Sequence, residues 1–173
     1  MTRADDLGRV VIPKEIRRTF HIKEGDSLEI YTDKDGEVIF KKYSPMGELS
    51  EFAAQICDSL HKTTGTTAAI CDRDSIIAVT GSVRRELMDK RISPQLEEIM
   101  SNRGVYLAEN RVSLPVCEDV EGTCIAAAAP IIAAGDIMGC VLFAAPSDSA
   151  PFGETESKLA QTVAAFLGRQ MEE

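Results

Sequence analysis

Little in this sequence suits catalysis, metal binding or membrane insertion. There are only two histidines, His21 and His61, and no HxxxH or CxxC pair, phosphate-cradling glycine loop or paired-carboxylate motif. Five cysteines, an odd number without close spacing, fit neither a disulfide framework nor a zinc knuckle. Cys57, Cys71, Cys124 and Cys140 sit among apolar residues, where cysteine behaves as a small buried hydrophobe. Cys117, beside Glu118 and Asp119, is expected to be the most exposed, but acidic neighbours raise a thiol's pKa when a nucleophile needs it lowered. The longest apolar stretch, CIAAAAPIIAA at 124–134, is interrupted by Pro130 and too short to span a bilayer. The N-terminus is polar, so no secretory leader is read. The expectation is a cytoplasmic protein with no catalytic site, no metal and no cofactor.

What is present is an uneven distribution of charge. The chain of 173 residues carries a net charge of −9, yet residues 1–46 hold nine basic and nine acidic side chains, so the acidic excess lies entirely in 47–173. The change falls at Ser44-Pro45-Met46-Gly47, where proline and glycine punctuate regular structure. Three segments follow: a module over 1–46, a connecting helix over 47–65 and a larger module over 66–173.

In the first module, Gly8–Ile12 reads as a short β-branched strand and Pro13 as the opening of a helix over 14–20. Ile16 and Phe20 share one face of that helix, which leaves Arg17 and Arg18 on its exposed flank. SLEIY (27–31) and EVIFKKY (37–43) read as strands joined through Asp33-Lys34-Asp35-Gly36, a hairpin connection. A core this small, with no metal or disulfide, is marginal alone. Two copies interleaving their strands would remedy that and present the arginines with the two-fold symmetry of a DNA duplex.

LGRVVIPKEIRR (7–18), with the following GDSLEI and KKY segments, resembles the swapped-hairpin DNA-binding domain of the AbrB transition-state regulator family. The resemblance implies that Arg9, Arg17 and Arg18 contact DNA, with Lys14 and Arg3 as weaker members of the set. It also implies a first strand that is shortened here, since only Met1-Thr2-Arg3-Ala4 precedes Asp5.

The second part begins with a helix over 47–65, in which Leu49, Phe52, Ala53, Ile56 and Leu60 recur at helical spacing and Gly65 is the stop. Sequence leaves open whether this stripe packs on its own module or on a second copy. Strands are expected over 66–72, 75–81, 105–109, 112–118, 123–135 and 137–146, helices over 82–104 with Ser93 as a cap, and a closing helix over 154–173. This order describes an α+β fold with an antiparallel sheet. With ICDRDSIIAVTGS and the PII, GD and MGCVLF segments, it is similar to a GAF domain. The whole arrangement resembles sporulation transcription factors built from a swapped-hairpin domain, a linker helix and a GAF domain. That resemblance implies double-stranded DNA as partner, a dimer through the first module, a tetramer through the GAF domains, and a small-molecule ligand of unknown identity in the latter. No residue names such a ligand. Arg84, Arg85 and Arg91 read as a solvated helix face.

Two rivals remain. Some GAF domains reduce free methionine sulfoxide through cysteine, but no histidine lies within 66–173 to serve a Cys–His pair. Antitoxins share the swapped hairpin but end in disordered acidic tails, whereas 66–173 has dense apolar periodicity.

Overall fold

Two runs of β-branched and aromatic residues around an Asp-Gly turn dictate the centre of the first unit. In the computed structural model, which describes residues 2–172, the chain divides into two units, Met1–Ser44 and Pro45–Glu173. In the first, β1 (Leu28–Thr32) and β2 (Val38–Lys42) form an antiparallel hairpin with Ile30 opposite Phe40 and Thr32 opposite Val38. Asp33 makes the turn: its Oδ1 accepts from the backbone N–H of Asp35 at 3.0 Å and of Glu37 at 2.8 Å. Gly36 supplies the positive φ (84°) that the turn requires. α1 (Lys14–Thr19) lies before the hairpin. The Lys42 ammonium is 3.0 Å from the Asp26 carboxylate and donates to the His21 carbonyl at 3.0 Å, tying the segment after α1 to β2.

The expected strand at Gly8–Ile12 is not formed as a ladder; it is reduced to one bridge, Ala4 with Val10. Among the described residues, no second strand pairs with residues 10–12 beyond that bridge. No apolar side chain among the described residues of this unit is buried. Leu7, Val11, Phe20, Ile30 and Val38 are all more than half exposed. The hairpin is therefore well specified locally but has no interior of its own.

The second unit is the reverse. Its sheet has the order β4-β3-β7-β6-β5, all antiparallel, from β3 (Thr67–Cys71), β4 (Ile76–Val79), β5 (Tyr106–Leu107), β6 (Thr123–Ala133) and β7 (Asp136–Pro146). Strand alternation sends Ala68, Ile70, Val141 and Phe143 to one face, where α3 (Ser50–Thr64) and α6 (Glu154–Gln170) cover them. Ala69, Cys71, Cys140 and Leu142 point to the other face, beneath α4 (Arg84–Leu87) and α5 (Pro94–Ser101). The short α2 (Pro45–Glu48) adds the buried Met46 to the first layer. The fold class is α+β, an antiparallel sheet between two helical layers.

The helix stripe left open by the sequence is resolved: Ala53, Cys57 and Leu60 of α3 are buried against the sheet of their own unit. Gly65 ends α3 in the left-handed region (φ 72°), and Ser93 Oγ caps α5 by accepting from the Leu96 N–H at 3.1 Å. Residues 112–118 do not form the expected strand. Pro115 has no N–H to give a ladder, and the run is held instead by bonds to separate segments, Ser93 N–H to Val116 O, Val116 N–H to Thr123 O and Glu118 N–H to Arg91 O.

α6 lies close on β6 because both faces are built from small residues: Ser157, Ala160, Ala164 and Gly168 above, Ala127 and Ala129 below. A methyl group at Gly168 would overlap the Ile132 carbonyl oxygen. Helix propensity alone favours alanine over glycine by about 1 kcal/mol. The close approach reverses the sign, so Gly168→Ala is expected to destabilise the protein by about 1–3 kcal/mol, read as a lower urea midpoint. An unchanged or raised midpoint would mean that α6 shifts freely.

Candidate nucleic-acid interface

The basic residues singled out in the sequence sit on two adjoining features of the first unit. Pro13 is the N-cap of α1, and its carbonyl accepts from the Arg17 N–H at 3.0 Å. His21, in the left-handed region at φ 52°, closes the other end, where the Ile22 N–H donates to the Arg17 carbonyl at 2.8 Å. The short helix is thereby fixed at both ends. Lys14, Arg17 and Arg18 stand at i, i+3 and i+4, so the three cations share a face, and all three are exposed. Like charges at this spacing disfavour the helix, although Arg17 and Arg18 in the last turn gain something from its dipole. Among the described residues, Arg3, Lys14, Arg17 and Arg18 have no ion-pair partner.

Arg9 is different. It ends a five-residue loop in which the Asp5 N–H donates to the Arg9 carbonyl at 3.0 Å and the Gly8 N–H to the Asp5 carbonyl at 3.1 Å. Asp5 Oδ1 accepts from the backbone N–H of Leu7 at 3.0 Å and of Arg9 at 2.8 Å, while Oδ2 accepts from Arg9 Nε at 2.7 Å. These bonds, the Arg9 backbone amide first and its side chain second, hold the Asp5 carboxyl below its ordinary pKa. Arg3 lies just before the Ala4–Val10 bridge that closes this loop and is exposed. The sequence reading missed Asp5. The signal was available, because an aspartate four residues before its partner, with a glycine between, is a common side-chain-to-backbone turn.

The second unit offers no comparable charged site. Arg91, one of the three arginines considered there, is taken up by Glu118 (3.2 Å) and Glu97 (3.5 Å). The layer beneath α4 and α5 is filled by Ile76, Leu87, Ile92, Leu96 and Leu142. All five cysteines are buried and unbridged. This corrects the expectation for Cys117: its acidic neighbours suggested exposure, but backbone bridging to Ile92 draws it fully into the core. Burial pushes its thiol up to about 11 and that of Cys57 up to about 12. Cys71, opposite Cys140 across β3 and β7, is also raised, first by hydrogen bonding to Cys140 and then by burial. Such thiols are protonated and inaccessible at neutral pH, the wrong state for a nucleophile. Among the described residues no helix is long and apolar enough to cross a membrane, and no cluster of three or more side chains could hold a metal ion.

Comparison with known proteins places this geometry. Residues 48–172 match the family described as stage V sporulation protein T C-terminal, transcription factor. The chain is 46% identical to stage V sporulation protein T of Bacillus subtilis (strain 168), over 99% of its own length and 96% of that protein. The chain belongs to the stage V sporulation protein T family. Residues 1–47 match a second model, described as antidote-toxin recognition MazE, bacterial antitoxin. A 43-residue stretch is 60% identical to transition state regulatory protein AbrB of the same organism, covering 25% of this chain and 44% of AbrB. The C-terminal region of this stage V sporulation protein T family member has the fold of GAF domains: the chain superposes on the GAF domain of an Acinetobacter phosphoenolpyruvate-protein phosphotransferase with a TM-score of 0.56 at 10% identity, covering 76% of this chain and 84% of the other. The resemblances read from the sequence, to AbrB-type regulators and to GAF domains, are borne out.

Proposed function

We propose that this chain is a DNA-binding transcriptional regulator of sporulation genes that grips duplex DNA through Arg9, Arg17 and Arg18, assisted by Lys14 and Arg3. The observation that carries the reading is a solvent-facing set of cations on a fixed short helix and loop, within a segment closely similar to AbrB. Positive charge held together on α1 against its own repulsion, with no ion-pair partner among the described residues for Lys14, Arg17 or Arg18, fits a polyanionic partner.

In this reading residues 1–46 are the DNA-binding domain, 47–65 the connecting helix, and 66–173 the GAF-like domain that self-associates. Two copies interleave their first domains, which supplies the interior that one copy lacks. A tetramer would use the outer surfaces of α3 and α6, where Phe52 and Phe166 stand exposed with ring centroids 6.1 Å apart. The burial of all five cysteines speaks against a sulfoxide reductase, and the folded second unit speaks against an antitoxin tail.

A duplex-DNA titration against salt tests the proposal. Six arginines per dimer facing the DNA, Arg17 and Arg18 on phosphates, give a log–log slope of up to about −5, or up to about a thousandfold weaker binding between about 50 and 200 mM salt. Weak binding with no salt dependence would overturn it.

A further inference from the structure

The DNA-facing set contains one feature that electrostatic attraction does not explain. Of its five cations, Arg9 alone is paired with a carboxylate among the described residues, and that pair is solvent-exposed, with the Arg9 side chain 72% accessible. An exposed ion pair contributes little to stability. Against DNA it is a liability, because Asp5 cancels the charge of Arg9 and repels phosphate. The turn itself needs only an acceptor at Oδ1 for the Leu7 and Arg9 amides, which an asparagine side chain could also supply. What only the carboxylate's second oxygen adds is the 2.7 Å bond to Arg9 Nε.

That bond has a geometric result. A guanidinium presents its donors in a planar fork. With Nε occupied by Asp5, the donors left for a ligand are those of the two terminal nitrogens, and the plane of the fork is fixed relative to a loop that is itself closed by backbone bonds and the Ala4–Val10 bridge. A fork held in advance suits bidentate donation to O6 and N7 of guanine, since less side-chain freedom is lost on binding. The lone cations of α1 suit phosphates, which tolerate many approaches. We infer that Asp5 is a positioning residue that orients Arg9 to read a base edge, trading raw attraction for sequence discrimination. The inference rests on the DNA-binding reading above.

The test uses the full chain and two probes: the duplex most enriched by the wild-type protein from a random-sequence pool, and a scrambled duplex of the same composition. Asp5→Asn keeps the Oδ1 acceptor and removes the charge. It is expected to bind the scrambled duplex more tightly, with a salt slope steeper by up to about 0.9 per chain, while preference for the enriched duplex falls about tenfold. In an Arg9→Ala background, Asp5→Asn should still relieve repulsion of phosphate and strengthen binding to both duplexes alike, but leave the preference between them unchanged. Arg9→Lys, which keeps the charge without the fork, should retain the slope and lose the preference. A parallel fall in affinity for both duplexes, or the same loss of preference on Asp5→Asn with Arg9 absent, makes Asp5 a purely structural residue and overturns the inference. Failure of the wild-type chain to bind any duplex removes the DNA reading itself, and this inference with it.

Discussion

Replacing Arg17 and Arg18 together by alanine is expected to weaken duplex binding by about three orders of magnitude near 0.1 M salt. Each phosphate contact contributes about 0.9 to the log–log salt slope, so four fewer contacts per dimer flatten it by about 3.6. The residual slope, at most about −2, is what one Arg9 per chain would leave, less the part that Asp5 offsets. The substitution should spare the fold. Both side chains are exposed, alanine is the best helix former, and removing like charges from one face of α1 relieves repulsion. Surface changes of this kind move stability by about 0.5 kcal/mol or less. Anisotropy titrations at several salt concentrations, beside a thermal melt, measure both quantities. An unchanged slope would take these arginines out of the interface.

Ile30→Asp is expected to abolish both dimerisation and DNA binding. In a single chain Ile30 is 63% exposed, and a polar residue there should cost next to nothing. Ile30 shares its face of the hairpin with Phe40 and Val38, opposite which no element of the same unit buries them. If a second copy covers that face, two carboxylates per dimer are desolvated, at a cost of several kcal/mol each. Light scattering at micromolar concentration distinguishes the outcomes. A variant that keeps the wild-type mass and binds DNA would show that the apolar face stays open and that interleaving is wrong.

Local chemistry made part of this structure legible. The turn at Asp33–Gly36, the cap at Ser93 and the stop at Gly65 are each specified by one or two residues with a defined backbone preference, and each is found where expected. The near-continuous apolar runs of β3, β6 and β7, buried on both faces, were similarly legible as strands. What local chemistry could not settle depended on partners distant in the chain. Val10 and Val11 have strand propensity but no neighbouring strand to satisfy it. Residues 112–118 alternate like a strand, yet their hydrogen bonds are claimed by separate segments. Cys117 was misjudged for the same reason, since its acidic neighbours face outward while its own backbone bridges to Ile92. In the candidate interface, the arginines were legible as a local cluster of positive charge, whereas the Asp5–Arg9 pair depends on loop geometry that composition does not express.

The contrast between a second unit with a layered core and a first unit with no buried apolar side chain among its described residues has a calorimetric consequence. The two are expected to melt in separate transitions, in which case no single melting temperature describes this chain. Heat should release two endotherms. The one belonging to the hairpin unit should move upward as protein is added, because mass action on association enters its equilibrium, while the one from the core built on Phe143 and Leu167 takes its main stability from within one chain. Scans at two loadings therefore report which part of the molecule is being melted, without any label or truncation.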